Sequence, residues 1–275
     1  MDCDWESVLE ACPRWIRQPV DELGKKDLRE LRLRLGRGPL LVFDGRTWEI
    51  PGSIAPEDLQ FSVNAASQYS PWAAESMAKG YLTIRGGHRM GLCGETVVKN
   101  GCVVGFRTVT SLCLRVARDV RRDVDRNCED WGSTLILGAP GWGKTTLLRS
   151  LARKLSERHQ VAVVDERQEL FPEGFSRGRG LDVLSGCGKA FGLDLVLRTL
   201  GPEYIALDEI TAQEDAASLA QAAGCGVRLL ATAHASCRED LRRRPCYRRL
   251  VEEGIFDTLL ILHPDKTYTR ERMEL

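Results

Sequence analysis

One stretch near the middle of the chain restricts the possible folds most strongly. Residues 135–137 are apolar and predict a buried strand, and a glycine-rich turn then leads into leucines at helical spacing. The residues of the turn are Gly138, Ala139, Pro140, Gly141, Trp142, Gly143, Lys144, Thr145 and Thr146. A strand, a glycine-rich turn and a helix in this order predict a P-loop, which surrounds phosphate groups with backbone N–H groups.

The P-loop residues have specific expected partners. Lys144 is expected to reach the β and γ phosphates of a nucleotide, and the hydroxyl of Thr145 to bind Mg²⁺. We therefore predict ATP and Mg²⁺ as ligands. The alternative is a glycine-rich turn that happens to contain a lysine, and the flanking strand and helix disfavour it. Trp142 occupies a variable position, where it covers the base, contacts a neighbouring subunit or is simply exposed.

Composition limits the remaining possibilities. In 275 residues, 39 Lys and Arg balance 39 Asp and Glu, so no overall positive charge favours nucleic acid or anionic lipid. The chain starts with an acidic segment and has no apolar run of membrane-spanning length, which predicts a cytoplasmic protein. The ten cysteines form no C-x-x-C pair and are expected to be reduced, with zinc binding disfavoured.

The first part of the chain mixes helix and strand patterns. Apolar residues at helical spacing predict one helix from residue 1 to about 18 that ends near Pro19. The other predicted elements are a strand at 31–35, a hairpin over 40–50, helices at 56–69 and 72–79, a strand at 81–84, a hairpin around Asn100 and Gly101, and a separate strand at 112–116.

The second part of the chain has a different pattern. Residues 119–131 are rich in charge and poor in apolar side chains, and we place a domain boundary there, between an N-terminal α+β domain (1–125) and a P-loop domain (126–275). After it, strands and helices alternate, which predicts a mostly parallel sheet. The predicted strands are 135–137, 161–164, 204–207, 227–231 and 258–262, the last of the chain.

Polar residues follow several of these strands, at the edge where open α/β sheets bind their ligands. Asp208 is expected to hold Mg²⁺ or its water, and Glu209 to polarise the attacking water. The alternative is a helix N-terminus with two favourably placed acids. Asp165 and Glu166 form a second pair, of which one member shares the water or metal unless Arg167 pairs with it locally.

Two further kinds of residue fit nucleotide hydrolysis. His234 follows a strand and is a candidate γ-phosphate sensor, with a satisfied buried histidine as the alternative. Hydrolysis by P-loop proteins commonly requires an arginine that neutralises developing charge, often from a neighbouring subunit. The candidates in the N-terminal domain are Arg85, Arg89, Arg107, Arg115 and Arg118.

The motifs together resemble the stage III sporulation protein AA family, within the secretion-type ATPases that include type II and type IV secretion and pilus motors. The resemblance covers nearly the whole chain. It rests on residues 31–36, 81–94, 111–118, 138–146, 163–166, 197–210 and 231–234.

This resemblance implies roles for the motif residues. It implies Walker A at 138–145, Walker B at Asp208 and Glu209, an Asp box at Asp165 and Glu166, and a His box at His234. The His box of this chain reads Thr-Ala-His-Ala, which is shorter than the form in secretion motors. The expected catalytic residues are Lys144, Glu166, Glu209 and His234, and the expected Mg²⁺ ligands are Thr145, Asp165 and Asp208.

The resemblance also implies architecture and partners. The expected fold is α/β, a RecA-like P-loop ATPase core with a smaller α+β N-terminal domain. The expected assembly is a homo-oligomeric ring of about six subunits, peripheral at the membrane through membrane proteins of the stage III sporulation channel, with no nucleic acid. The alternatives are a nucleic-acid-binding RecA-like ATPase, a small-molecule kinase, and a scaffold that binds nucleotide without turnover.

Overall fold

The protein consists of two compact units. A computed structural model describes residues 3–68, 77, 78 and 80–273. The first unit comprises residues 1–119 with 173–175, and the second comprises 120–172 with 176–275. The main division falls at the start of the charged segment 119–131. Among the described residues, no helix combines the length and apolar composition that a membrane crossing requires.

The first unit is built on an antiparallel sheet. Over the described residues it has six strands in the order β3-β2-β1-β6-β5-β4. The strands are β1 Glu30–Arg34, β2 Leu40–Val42, β3 Thr47–Glu49, β4 Tyr81–Ile84, β5 His88–Lys99 and β6 Cys102–Arg115. Side chains alternate across this sheet, and Leu31, Leu33, Met90, Leu112 and Leu114 are buried on its inner face.

Three helices of the first unit are described. They are α1 Trp5–Glu10, α2 Arg17–Gly24 and α3 Pro56–Ser67, with a 3₁₀ turn at Arg14–Ile16. The prediction of one helix that ends near Pro19 was wrong. The chain breaks at Pro13, and Pro19 lies in the first turn of α2, where its missing N–H has no helical partner to lose. The helix predicted at 72–79 lies outside the described residues except for 77 and 78.

The hairpin predicted around Asn100 and Gly101 is present and longer than expected. Both residues have positive φ, 50° and 77°, as a tight hairpin turn requires. The strand predicted separately at 112–116 is the end of β6, so that prediction was wrong. Three register shifts between β5 and β6 disturb the alternation of side chains, and this is why the sequence did not show one continuous strand.

A buried histidine joins the two ends of the first unit's chain. The imidazole of His88 is fully buried, its Nδ1 accepts the N–H of Ala117 at 2.9 Å, and its Nε2 lies 2.8 Å from the carbonyl oxygen of Asp4. These partners fix the neutral ring with its proton on Nε2. Burial lowers the pKa of His88, and the contact with Asp4 opposes this shift only in part.

The second unit is an α/β sandwich around a mainly parallel sheet. Its seven described strands have the order β13-β12-β7-β11-β10-β8-β9, and only β13 runs antiparallel. They are β7 Thr134–Leu137, β8 Val161–Asp165, β9 Leu181–Ser185, β10 Tyr204–Leu207, β11 Arg228–Ala233, β12 Thr258–Leu262 and β13 Tyr268–Arg272. The sequence did not predict β9 and β13, whose side chains are largely exposed and lack a continuous apolar run.

Helices cover both faces of this sheet. They are α4 Lys144–Leu155, α5 Lys189–Thr199, α6 Gln213–Gly224, α7 Arg238–Arg243 and α8 Pro245–Glu252. One apolar cluster joins α4 and Trp131 to one face, and a second joins α5, α6 and α8 to the other. Because both faces are covered, β7, β8 and β10 are buried at every position and are mostly apolar, as is typical of parallel sheets.

The histidine contacts predict a pH-dependent stability of the first unit. The unfolded chain takes up a proton at His88 near pH 6.5, whereas the folded chain resists it, so the free energy of unfolding should fall as the pH drops below about 6.5. The loss should reach at most about 1.4 kcal/mol per pH unit until the folded pKa is passed.

Urea unfolding between pH 7.5 and 5.5, read by pulse proteolysis of β5 and β6, would measure this loss. His88→Gln should remove the pH-dependent part, while the matched variant His263→Gln should keep it. An unchanged slope in His88→Gln would contradict the assignment.

Candidate functional site

The candidate site lies at one edge of the second unit's sheet. The strands β7, β11, β10 and β8 are direct neighbours and run parallel, so their carboxyl ends meet at the same edge. The P-loop follows β7, His234 follows β11, Asp208 and Glu209 follow β10, and Asp165 and Glu166 end β8. The topology therefore brings all the predicted motifs to one edge.

The P-loop has the backbone conformation that its glycines allow. Gly141 and Gly143 have φ values of 80° and 96°, and Gly143 precedes the first residue of α4. Ala139 is half-buried and Pro140 exposed. Trp142 is partly buried against the apolar cluster around α4. The partial packing of Trp142 accounts for an aromatic residue here without requiring contact with a base.

Lys144 is held inside the loop. Its Nζ donates hydrogen bonds to the carbonyl oxygens of Gly138 at 2.8 Å and Ala139 at 3.2 Å, and to Nδ1 of His234 at 3.0 Å. These three bonds use every donor of the ammonium group. Burial lowers the pKa of Lys144, while the nearby carboxylates of Glu209 and Asp208 act in the opposite direction.

His234 connects the P-loop to the acidic pair after β10. Because an ammonium group only donates, Nδ1 of His234 must be unprotonated when it contacts Lys144. The ring proton then lies on Nε2, which is 3.0 Å from Oε2 of Glu209. Lys144, His234 and Glu209 thus form a continuous polar chain, and His234 is not a histidine merely satisfied within a core.

Asp208 lies between two threonine hydroxyls. Thr145 donates to Oδ2 of Asp208 at 3.2 Å, and Thr232 donates to Oδ1 at 2.9 Å. Thr145 and Asp208 supply oxygen atoms of the kind that Mg²⁺ prefers, and they are too few to enclose the ion without phosphate oxygens. The sequence analysis assigned no role to Thr232, although this residue lies in the Thr-Ala-His-Ala motif two residues before His234, on a strand that ends at the site.

Tyr247 binds the backbone of the residue that follows Glu209. Its hydroxyl donates to the carbonyl oxygen of Ile210 at 2.7 Å, and the side chain is 2% exposed. Burial raises the pKa of Tyr247 to about 12, so the phenol remains a donor at all ordinary pH values. Nothing in the sequence around this residue in α8 indicated the contact.

Asp165 ends β8, next to the strand that leads to Asp208, and its carboxylate binds backbone groups. Its carboxylate accepts the backbone N–H groups of Glu169, Leu170 and Phe171 at 2.8–3.0 Å. Arg149 of α4 donates to the carbonyl oxygens of Glu169 and Leu170. Asp165 therefore organises the loop after β8, and the described hydrogen bonds of its carboxylate go to this loop rather than to Thr145 or Asp208.

Glu166 pairs with a lysine that the sequence analysis did not consider. Nζ of Lys189, a residue that is 7% exposed, lies 2.8 Å from Oε2 of Glu166 and 3.9 Å from Oδ2 of Asp215. Asp215 in turn accepts the backbone N–H groups of Thr211 and Ala212, both at 3.1 Å. The alternative that Arg167 pairs with Glu166 differs from the structure, in which the ion-pair partner of Glu166 is Lys189.

The arginines predicted to act on a neighbouring subunit differ in their contacts within the first unit. Arg85 is 2.9 Å from Asp4, Arg107 is 2.6 Å from Glu95 and Arg115 is 3.4 Å from Glu30. Arg118 donates to the carbonyl oxygens of Gly24 and Lys25, and Arg89 lies 3.9 Å above the ring of Tyr81. Arg85 and Arg118 are thus tied to the helical layer, whereas the other three lie on the sheet.

Two solved structures share the fold of this chain. The pilus retraction motor PilT, solved with ADP, matches with a TM-score of 0.67 and 17% identity, over 93% of this chain and 77% of that chain. The Legionella pneumophila ATPase DotB matches with a TM-score of 0.63 and 17% identity, over 95% of this chain and 80% of that chain. The chain has the fold of a secretion-type P-loop ATPase, which confirms the predicted fold class.

Sequence comparison gives the family. The family model described as sporulation stage III, protein AA, matches residues 8–272. Stage III sporulation protein AA of Bacillus subtilis is 34% identical over 276 residues, covering 93% of this chain and 90% of that protein. The chain therefore belongs to the sporulation stage III protein AA family, and the predicted resemblance is confirmed.

The contacts of Asp165 predict a structural effect of its removal. Asp165→Ala leaves three backbone N–H groups without their acceptor, two of them buried, and the free energy of unfolding of the second unit should fall by about 3 kcal/mol. Urea unfolding would measure this loss. Asp182→Ala, an exposed aspartate on neighbouring β9, is the matched control and should change it by less than about 0.5 kcal/mol. Equal effects of the two variants would contradict the loop-organising role.

Proposed function

We propose that this protein is a Mg²⁺-dependent ATPase. The observation that carries the proposal is the polar chain from Lys144 through His234 to Glu209, beside the Thr145 and Asp208 pair. It joins a phosphate-binding group to a carboxylate that can polarise water. A P-loop that served only to bind nucleotide would not require this connection.

The P-loop residues are proposed to hold the nucleotide phosphates and the metal ion. Lys144 exchanges its contacts with the loop carbonyls and His234 for the β and γ phosphates, and Thr145 and Asp208 supply oxygen ligands to Mg²⁺. The ion neutralises phosphate charge. Buried Thr232 keeps Asp208 oriented, since its hydroxyl occupies the other carboxylate oxygen.

Glu209 is proposed to polarise the attacking water, and His234 to relay the state of the P-loop. When Lys144 turns to phosphate, Nδ1 of His234 loses its donor while Nε2 still faces Glu209. The position of the imidazole, and with it that of the carboxylate, then depends on whether the γ-phosphate is present. This is the arrangement that a sensor of the γ-phosphate requires.

Asp165 and Glu166 are proposed to have unequal roles. Asp165 shapes the loop after β8, so we assign the metal to Thr145 and Asp208 without it. Glu166 keeps a carboxylate at the site edge that is partly exposed and paired with Lys189. It is a second catalytic candidate that must first be released from this ion pair.

The active assembly is proposed to be a homo-oligomeric ring of about six subunits. The fold shared with DotB and PilT supports this, as does the absence of an arginine from the described contacts of the polar chain. Arg89, Arg107 and Arg115 are the candidates for action on a neighbouring subunit. Arg85 and Arg118 are disfavoured because they bind groups of the helical layer, whereas Arg107 and Arg115, although ion-paired, have more exposed side chains (69% and 67%, against 47% for Arg85).

In the cell, we propose that ATP hydrolysis energises or assembles a membrane-embedded, secretion-like channel during endospore formation. The family membership and the fold of secretion and pilus motors support this function. The protein would act from the cytoplasm, at the membrane through partner proteins of the stage III channel. A nucleic-acid substrate is disfavoured by the balance of 39 basic and 39 acidic residues.

The assignment of Glu209 predicts a separation of binding from hydrolysis. Glu209→Gln should keep ATP affinity while turnover falls by about 10²–10⁴-fold, because the carboxylate that polarises water is lost. Lys144→Ala should lower ATP affinity itself by about 10–100-fold. Titration with a fluorescent ATP analogue and phosphate-release assays would measure both. Glu214→Gln, in the exposed first turn of α6, is the matched control. Wild-type turnover in Glu209→Gln would move the role of base to Glu166.

The ring predicts that turnover depends on assembly. ATP turnover per subunit should rise steeply with protein concentration, together with a molar mass near six subunits in light scattering of the same samples. Full turnover by a monomer would refute the ring and any arginine from a neighbouring subunit. Binding without turnover at every concentration would favour the scaffold.

A further inference from the structure

The face of the first unit's sheet that points away from its helices has an unusual composition. We name it the outer sheet face, and its register places side chains from β1, β6, β5 and β4 in rows. The rows are Glu30, Arg115, Arg89 and Thr83; Arg32, Cys113, Gly91 and Tyr81; and Arg34, Ser111 and Cys93. Four arginines therefore share this face with Glu30, around a centre of small side chains, and Glu49 of β3 lies at the far end of the Arg32 row, beyond Leu40.

The positive charges of the outer sheet face are only partly compensated. Glu30 lies 2.7 Å from Arg32 and 3.4 Å from Arg115, and these contacts fix the Arg32 side chain. Arg34 is exposed and has no acidic partner within ion-pair distance in the described part of the chain. A sheet face of this kind attracts anions, and arginine guanidinium groups bind oxyanions through paired N–H groups.

Gly91 creates a depression in the middle of this face. The depression has a volume of about 260 Å³ and is lined by Arg32, Arg34, Gly91, Cys93, Ser111 and Cys113, with backbone from Leu92 and Leu112. A Cβ atom on Gly91 would meet only the carbonyl oxygen of Cys113, at 3.8 Å, and its φ is not in the left-handed region. Neither packing nor backbone conformation therefore requires glycine here.

The contrast with Gly94 on the same strand is informative. A Cβ atom there would approach the Thr108 carbonyl oxygen to 2.0 Å, so that glycine is needed for the fold. A glycine in a strand interior weakens the strand, and it often marks a bulge, a tight bend or a place where a ligand or another backbone approaches closely. Gly91 is such a position.

We propose that the depression on the outer sheet face binds a phosphate group, either inorganic or part of a phosphate ester. The guanidinium groups of Arg32 and Arg34 contact its oxygens, and the Ser111 hydroxyl and the thiols of Cys93 and Cys113 line the floor around Gly91. Burial, followed by the charge of Glu30, raises the pKa of Cys113, so this thiol stays neutral and does not repel an anion. The site is separate from the P-loop and does not depend on the proposed ATPase activity.

Three consecutive tryptic peptides allow a test within one digest. They span residues 90–99, 100–107 and 108–115, and each contains one cysteine, at Cys93, Cys102 and Cys113 respectively. Cys93 lines the depression, whereas exposed Cys102 lies at the hairpin end away from it. Pulse alkylation with iodoacetamide, followed by mass spectrometry, would report the alkylation rates of Cys93 and Cys102 in the same molecules.

The test uses the Lys144→Ala variant of the full chain, so that phosphate at the P-loop does not contribute. Inorganic phosphate up to ~20 mM at constant ionic strength covers a millimolar dissociation constant. Alkylation of Cys93 should slow by about threefold when phosphate reaches twice the dissociation constant, while Cys102 is unchanged. Equal slowing of both thiols, or of neither, would overturn the proposal.

Three further variants in this background separate a defined site from diffuse charge. Arg34→Gln should abolish the protection of Cys93, and Gly91→Val should abolish it while leaving every charge in place. Arg46→Gln, which removes an arginine from the turn between β2 and β3, should retain protection. Loss of protection in Arg46→Gln, or its retention in Arg34→Gln or Gly91→Val, would contradict the site.

The source of the phosphate is decided by a second arm. Vesicles of phosphatidylcholine with phosphatidylglycerol, compared with phosphatidylcholine alone, should protect Cys93 if the ligand is a lipid headgroup. Protection by inorganic phosphate alone identifies a soluble ligand. The chain with Lys144 intact would also be tested with ATP. If Cys93 is protected only in that chain and only with ATP, the separate site is overturned, because the phosphate then belongs to a nucleotide held by another subunit.

Discussion

The position of β11 between β7 and β10 determines the chemistry of the second unit. Because β11 separates the P-loop strand from the strand that ends at Asp208 and Glu209, the residue after β11 must lie between the two. His234 occupies this position, and its two ring nitrogens face Lys144 and Glu209. A direct pairing of β7 with β10 would leave no place for a side chain that contacts both groups. The proposed sensing of the γ-phosphate is thus a consequence of strand order.

Buried charge in this unit mainly organises loops. Asp165 accepts hydrogen bonds from N–H groups of the loop after β8, and Arg149 donates to carbonyl oxygens of the same loop. The donors and the acceptors of one short backbone segment are thus both bound by charged side chains. Lys189 joins Glu166 to the carboxylate that caps the start of α6. These contacts fix the loops after β8 and β10 relative to each other. Removal of one partner would leave an uncompensated charge, which is costly in a protein interior.

The sequence was sufficient for the motifs and for most of the central strands, because a P-loop has a local signature and buried parallel strands are mostly apolar. It could not separate the roles of Asp165 and Glu166, since adjacent acids look equivalent until the loop from Glu169 to Phe171 is folded around one of them. Thr232, Lys189 and Tyr247 were missed because their contacts join distant segments. The strand β13 was missed because it is polar and lies at the sheet edge.

The long hairpin of β5 and β6 is supported unequally along its length. Near Arg115 it lies between β1 and β4, whereas from Gly94 to Val109 its two strands pair only with each other among the described residues. Two-stranded ribbons are marginally stable in water, and local opening begins where few neighbours restrain the backbone. The outer half can therefore bend, twist or accept a further strand while the rows around Arg32 and Gly91 stay in register. One continuous pair of strands thereby combines a two-stranded outer part that deforms easily with an inner part that the rest of the sheet restrains.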